Sequence, residues 1–448
     1  DPVGNFPTYR CNDGSLYNEE KPCLELKDAD PGIVKLDREY TRAKSRQVYA
    51  YGIAYHLTGN EKYLHYMVAG GEWLMRNALD KYGAASWFVD GNGQPENLQR
   101  TSQDMSYAAS GLAFLYYLTR DAKYQKAIVN LKEHIFKTYF DEDWGLLRWV
   151  REKNVDGDNP NQKELVSQLD QVYGYMLWAT MALPQGKLKN EWLRDLHYLA
   201  TAMRNQFFSD TYGLYYGAIT DMEHHNLANY KFQENPHTDF GHSIKTLWLT
   251  YRIGLLTNDA SLVNFAQPPM YTILKRAYIE KTGSWARGFK PKSKGSKIFV
   301  LDHNKEWWSL AELDQTSATL ALVDPVFASV LPRTYDYWFK HMVDHVHGGV
   351  WHMVKAKDNQ PDKSFPKQHS WKNAFHVFEH ALVGYLTSQQ LHDESSTLHY
   401  AFKGKVNEKD IHPYLYFGEV KSKTTMGKFK HPALSRYTPT KIEFNSLH

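Results

Sequence analysis

Two histidines far apart in the chain have the surroundings for proton transfer at carbon. His242 lies in G-H-S-I-K-T-L-W-L and His376 in W-K-N-A-F-H-V-F-E-H, both apolar segments of helical character. Lys245 and Glu379 each follow their histidine by three residues, and on a helix positions i and i+3 share a face. Imidazole both takes and gives a proton near neutral pH, so two of them across one substrate suit removal and return of a proton. The competing reading is structural. The chain holds 21 histidines, and most histidines are solvated or satisfied within a core.

Other chemistries find little support. There is no H-E-x-x-H and no Cys/His quartet for zinc, so no metal is expected, and G-x-S-x-G, P-loop and dinucleotide motifs are absent. The Asn154-Val155-Asp156-Gly157-Asp158-Asn159 stretch offers calcium-like oxygens but lacks the full EF-hand spacing, and reads as a turn. A net charge of +3 gives no footprint for nucleic acid, and Lys290, Lys292, Lys294 and Lys297 read as a solvated loop. No apolar run reaches the roughly 18 residues of a membrane span.

The elements that must carry the histidines show a repeat. Leu57-Thr58-Gly59-Asn60-Glu61, Leu118-Thr119-Arg120-Asp121-Ala122 and Leu256-Thr257-Asn258-Asp259-Ala260 each read as one helix ending and another starting, with Asn60, Asp121 and Asp259 as N-caps. Aromatic-flanked glycines recur at 83, 145, 213, 283 and 349, spaced by 62, 68, 70 and 66 residues. That interval fits a helical hairpin plus a short loop or β-hairpin, and the 448 residues hold about six such units. Six hairpins close into an all-α (α/α)6 barrel with a pocket at one mouth. The expected organisation is an irregular N-terminal arm over 1–37, the barrel over 38–400 and a strand-and-loop tail over 401–448 packed on it.

The arm holds the only cysteines, Cys11 and Cys23, spaced to close a short disulfide loop. A chain that opens without methionine and carries such a pair is expected in the periplasm or outside the cell, with two reduced cysteines in the cytoplasm as the alternative. Aromatic residues make up 15% of the chain, including 13 Trp, which suits a large core and also stacking on sugars.

Stepping by the repeat from His242 gives Arg46, Tyr107, Trp178, His242, Glu312 and His376, separated by 61, 71, 64, 70 and 64 residues. These positions also carry motifs. Lys44-Ser45-Arg46-Gln47-Val48-Tyr49, Gly241-His242-Ser243-Ile244-Lys245-Thr246-Leu247-Trp248, Glu306-Trp307-Trp308-Ser309-Leu310-Ala311-Glu312 and Trp371-Lys372-Asn373-Ala374-Phe375-His376 occur in that order. Over roughly residues 38 to 390 the chain resembles the N-acylglucosamine 2-epimerase superfamily, which includes cellobiose 2-epimerases and mannose or aldose-ketose isomerases.

The resemblance implies the (α/α)6 barrel and a cofactor-independent sugar 2-epimerase or isomerase that works through an enediolate. It implies His242 and His376 as acid and base, Arg46 at the developing oxyanion and Tyr107 in the pocket. Glu312 would orient a histidine or bind a hydroxyl. Trp307, Trp308 and Trp371 would stack on a mono- or oligosaccharide, with burial in the core as the plainer reading for each. The chain departs from the family at Lys245, commonly glutamate, at Glu379, arginine in cellobiose 2-epimerases, and at Trp178, aligned with a third pocket histidine. A charge-swapped Lys245–Glu379 ion pair is the corresponding expectation. Two rival functions remain: a secreted (α/α)6 glycoside hydrolase or polysaccharide lyase, and a catalytically silent sugar-binding protein. A homodimer is compatible with either family use of the barrel.

Overall fold

The computed structural model describes residues 4–88, 100–153, 158, 160–161, 163–219, 237–293 and 299–448. Of the calcium-like stretch only Asp158 is among them, and Lys294 and Lys297 lie outside them. Paired helices alternate between nearly complete burial and a single buried stripe. Helix α1 (Thr41–Thr58) leads to α2 (Glu61–Trp73), α3 (Ser102–Thr119) to α4 (Ala122–Tyr139), and α5 (Leu165–Gln171) runs through a π turn at Val172–Met176 into α6 (Leu177–Ala182) before α7 (Lys187–Phe207). Next come α8 (Phe240–Thr257) with α9 (Ala260–Ala277), α10 (Trp307–Ala321) with α11 (Leu331–Tyr337), and finally α12 (Phe375–Leu391).

Every residue of α3 is buried, whereas α4 buries only Tyr124, Ile128, Leu131, Ile135 and Tyr139, one stripe at helical spacing. Helices of the first kind therefore form an inner ring, and the second kind wraps it. The ring closes because α12 packs on α1 as well as on α10. This is the (α/α)6 barrel.

The junctions follow cap chemistry. Asn60 Oδ1 accepts from the Lys62 amide at 3.0 Å, Asp121 Oδ1 from Lys123 at 3.3 Å and Asp259 Oδ1 from Ser261 at 2.7 Å. Two-residue β-hairpins follow the outer helices, and there Gly83 and Gly283 adopt φ of 97° and 61°, a region that favours glycine. Among the described residues no helix is long and apolar enough to cross a membrane.

After α12 the chain enters an antiparallel three-stranded sheet, with Thr438–Asn445 between Ser396–Phe402 and Glu419–Thr425. The sheet begins a few residues ahead of the expected tail boundary. It seals one end of the barrel. Tyr55, Tyr117 and Arg252, all late in inner helices, donate to the carbonyls of Tyr400, His412 and Leu415 at 2.8, 2.6 and 2.6 Å. The opposite end, where the inner helices begin, stays open for a site.

Near that mouth the N-terminal arm is tied down. Cys11 and Cys23 form a disulfide, and Tyr9, Leu26, Val34 and Trp87 build a small core beside it. Gln368 Nε2 donates to the Pro7 carbonyl at 2.8 Å, and Ser370 Oγ to that of Ile33 at 2.7 Å. Closing a loop of this length restricts the unfolded chain by about 3 kcal/mol. We therefore expect Cys11→Ser to lower the urea midpoint by an amount equivalent to about 3 kcal/mol. The same shift should follow addition of reductant to the parent protein. No shift in either case removes the disulfide as a stabilising element.

Candidate active site

A cavity of about 330 Å³ opens where the inner helices begin, the size range of small-molecule sites. Its walls include Arg46, Tyr107, His242, Lys245, Trp307, Trp308, Trp371 and His376, eight of the eleven residues singled out in the sequence. Each lies in the first turns of an inner helix or just before one, so the positive ends of the helix dipoles converge there. A larger groove of about 670 Å³ lies between α4 and the turn and β-hairpin that follow α2, lined by Asp80, Lys81, Lys126, Glu133, His134 and Lys137, and holds none of the residues singled out in the sequence.

Each histidine is held by a carboxylate. Asp239 is the N-cap of α8: Oδ1 accepts the His242 amide at 2.7 Å and Oδ2 the His242 ring Nδ1–H at 2.8 Å. Burial works to raise the Asp239 carboxyl, yet His242 outweighs it and holds it below the ordinary value. The proton is therefore on Nδ1, and Nε2 is left as the basic nitrogen. Burial lowers the His242 pKa, with Asp239 opposing, so the ring is a neutral base.

The second pair is built differently. His376 Nδ1 lies 2.9 Å from Glu312 Oε1, and both residues are buried. Burial raises the Glu312 carboxyl, and Glu379 beside it adds to this while Lys245 opposes. Burial and then the Lys245 charge push His376 well below the ordinary imidazole value. These opposite shifts favour the dyad's proton on the carboxyl over a second proton on the imidazole. Opposite shifts on the two carboxyls thus give the two histidines different electrostatic surroundings.

Beneath the dyad lie groups that the sequence did not disclose. The Tyr173 hydroxyl donates to Glu379, stands 3.3 Å from both Glu312 Oε1 and His376 Nδ1, and is placed by the π turn between α5 and α6. Tyr414, from the tail, donates to the other Glu379 oxygen. Glu312, His376 and Glu379 could in principle gather round a cation, but these hydrogen bonds engage their donor atoms with one another and with the tyrosines.

Three expectations are corrected. Lys245 and Glu379 make no direct ion pair; the carboxylate beside Lys245 Nζ is Asp170 Oδ1 at 4.0 Å, and the ammonium lies 4.1 Å over the Tyr173 ring. Trp178 is not at the cavity wall: it stacks on Tyr49 at 4.9 Å and its indole N–H donates to Tyr414 at 3.1 Å. Glu312 and Glu379 are fully buried below the wall, so neither binds a hydroxyl directly, and Glu312 is bonded to His376, the other of the two roles expected of it. Asp239 and Asp170 were missed as functional, although a carboxylate three residues before a helical histidine is a legible cap signal.

Arg46 lies 3.8 Å over Tyr107 and donates from Nη1 to the Trp371 carbonyl at 2.7 Å, while its buried Nε has no partner. Trp371 has one face covered by Arg42 at 3.4 Å. Trp308 sits 4.5 Å from the His242 ring and 6.1 Å from that of His376, the tryptophan placed closest to both. Gly241 makes this possible, since a Cβ there would stand 2.4 Å from Trp308. Gly241→Ala should displace the indole, costing about 1–3 kcal/mol of stability from overpacking. Because a shift of about 1 Å at a reacting centre costs on the order of 10²-fold, kcat should fall far more than thermal unfolding alone would indicate. Unaltered turnover in Gly241→Ala would mean that Trp308 does not position the reacting groups.

The comparisons with known proteins agree with the fold. A cellobiose 2-epimerase of Bacteroides fragilis is 21% identical over 355 residues, covering 74% of this chain and 83% of its own length. The structure of cellobiose 2-epimerase from Bacillus thermoamylovorans superposes with a TM-score of 0.68 at 18% identity, over 86% of this chain and 92% of that one. A D-mannose isomerase structure superposes with a TM-score of 0.67 at 16% identity, over 86% and 92%. The sequence pattern of the N-acylglucosamine 2-epimerase (GlcNAc 2-epimerase) family matches residues 25–379, and this chain belongs to that family.

Proposed function

We propose that the protein is a sugar 2-epimerase that removes and returns the C2 proton of an open-chain aldose. The observation that carries this reading is the pair of imidazoles on one cavity, each fixed by its own carboxyl. His242 Nε2 takes the proton from C2, and the electron pair moves through C1 onto the carbonyl oxygen. His376 Nε2–H then delivers a proton to the other face of C2 while Glu312 passes its own to Nδ1. The configuration is inverted. Solvent restores the two dyads, so exchange with water accompanies turnover. Roles reverse for the opposite epimer by microscopic reversibility.

The developing charge is met by Arg46 and by the converging helix N-termini at the cavity. Every proton transfer uses side chains of this chain, which supports a reaction without metal or cofactor. A neighbouring route, delivery of the proton to C1, yields a ketose from the same intermediate. The Cys11–Cys23 disulfide supports an oxidising compartment, outside the cell or in the periplasm.

The test is incubation in deuterated water with mannose, glucose, N-acetylglucosamine, cellobiose and mannobiose. Deuterium at C2 of the product epimer is the expected result. Deuterium at C1 of a ketose marks isomerisation instead, and cleavage of a disaccharide without exchange overturns the proposal in favour of a hydrolase.

A further inference from the structure

The cavity contains an acid–base pair that the mechanism above does not use. Lys245 is 3% exposed on α8, lines the cavity, and its three N–H donors make no hydrogen bond to the described residues. The carboxylate oxygen it faces, Asp170 Oδ1 at 4.0 Å, is buried and makes no hydrogen bond either, and the Tyr107 hydroxyl lies beside that carboxylate. The other Asp170 oxygen is fixed by Gln103 Nε2 at 2.6 Å, and Gln103 Oε1 is again without a partner. Buried polar atoms are ordinarily satisfied, and leaving several unpaired in one place costs stability. These three face one cavity, so a bound molecule is the economical way to satisfy them. The gap between ammonium and carboxylate is too wide for a direct bond and suits sugar oxygens between the two charges.

We propose that Lys245 is a further catalytic residue: its ammonium donates to O1 of the open-chain sugar while Asp170 accepts from the O2 hydroxyl. The inference rests on the epimerase reading and adds to Arg46 a second cation, placed at O1. As the C2–H bond breaks, its proton goes to His242 and its electron pair forms the C1=C2 bond. The C1=O1 π pair moves onto O1, which becomes an alkoxide beside the ammonium. On return the C1=O1 bond re-forms, and C2 takes a proton from His376. Lys245 itself gains and loses no proton.

Placement supports the role. Lys245 is one turn along α8 from His242, and its ammonium lies over the face of Tyr173, whose ring stacks on that of His376 at 6.0 Å. The cation is thus close enough to act on both imidazoles, on the cavity side where O1 of a sugar reached by both would lie. Its like charge also helps to keep His376 unprotonated. Asp170 orients the neighbouring hydroxyl and with it the plane of the enediolate.

The experiment compares the parent protein with Lys245→Met and Lys245→Arg in deuterated water, following C2 exchange, kcat, KM and thermal unfolding. Removing one preorganised donor from a developing oxyanion costs on the order of 10²–10³-fold in kcat. Lys245→Met should show that loss with KM changed by only a few fold, and its thermal unfolding, read beside it, separates the chemical loss from the cost of leaving the buried Asp170 carboxylate without its cation. Lys245→Arg should retain more exchange than Lys245→Met. A folded Lys245→Met with parental kcat, or with its whole loss in KM, overturns the assignment. If the parent itself puts no deuterium at C2 of any aldose, the epimerase reading fails, an outcome separate from that comparison.

Discussion

His376→Asn should lose epimerisation by at least about 10³-fold, within the range that general acid–base catalysis contributes. His242→Asn should do the same. The two variants should differ in what they retain. With His376 gone, His242 still faces one side of C2, so the epimer whose C2–H points to that side keeps exchanging with solvent while its configuration is preserved. With His242 gone, the other epimer is the one that exchanges. Asparagine suits both sites because it offers polar atoms to Asp239 and Glu312 where alanine would leave buried carboxyl oxygens unpaired. Retained thermal stability then separates a chemical loss from a folding loss. A parental rate of epimerisation in either variant would sink the two-histidine mechanism. Loss of exchange for both epimers in both variants would show instead that the histidines act only together.

The fold was legible because the repeat has a physical cause. Each hairpin buries its inner helix against the next one, so a residue on one inner helix meets its counterpart about one repeat later. The pairs in the structure keep that interval: Arg42 with Asp104, Gln103 with Asp170, Glu312 with His376, and Asp314 with His380 are 62, 67, 64 and 66 residues apart. The N-caps were equally visible, since Asn60, Asp121 and Asp259 satisfy free amides that any helix start exposes.

What stayed hidden depends on contacts with no periodic signature. Tyr173 enters the site through a π turn, which shifts side-chain directions by part of a turn and leaves no mark in the hydropathy pattern. Tyr414 comes from a tail outside the repeat. Both take the Glu379 oxygens, so the carboxylate that seemed ready for Lys245 was already committed from below. The Trp178 position failed for the related reason that the register places it about three turns deeper than His242 or His376. There it meets the tail rather than the cavity. Equal spacing along the chain fixes which helix a residue is on more securely than its depth along the barrel axis.

Asp239→Asn isolates the carboxylate that makes His242 a base. Asparagine caps a helix about as well as aspartate, so α8 should start where it does now and stability should change little. The catalytic change is large. The Asp239 charge raises the His242 pKa against the lowering effect of burial, and its Oδ2 holds the proton on Nδ1. An amide supplies no charge and can present N–H to Nδ1, which drives the ring proton to Nε2 and removes the lone pair from the cavity. Loss of the orienting carboxylate in a histidine-based site costs up to about 10⁴-fold, and kcat should fall by at least 10²-fold by the same logic. The pH profile gives the sign. Activity requires neutral His242, so kcat/KM falls as pH drops through its pKa, already below the ordinary imidazole value. Removing the Asp239 charge lowers that pKa further, and the acid limb should move to still lower pH while the plateau drops. A limb that moves to higher pH, or a plateau at the parental level, would show that Asp239 serves α8 as a cap and not His242 as a partner.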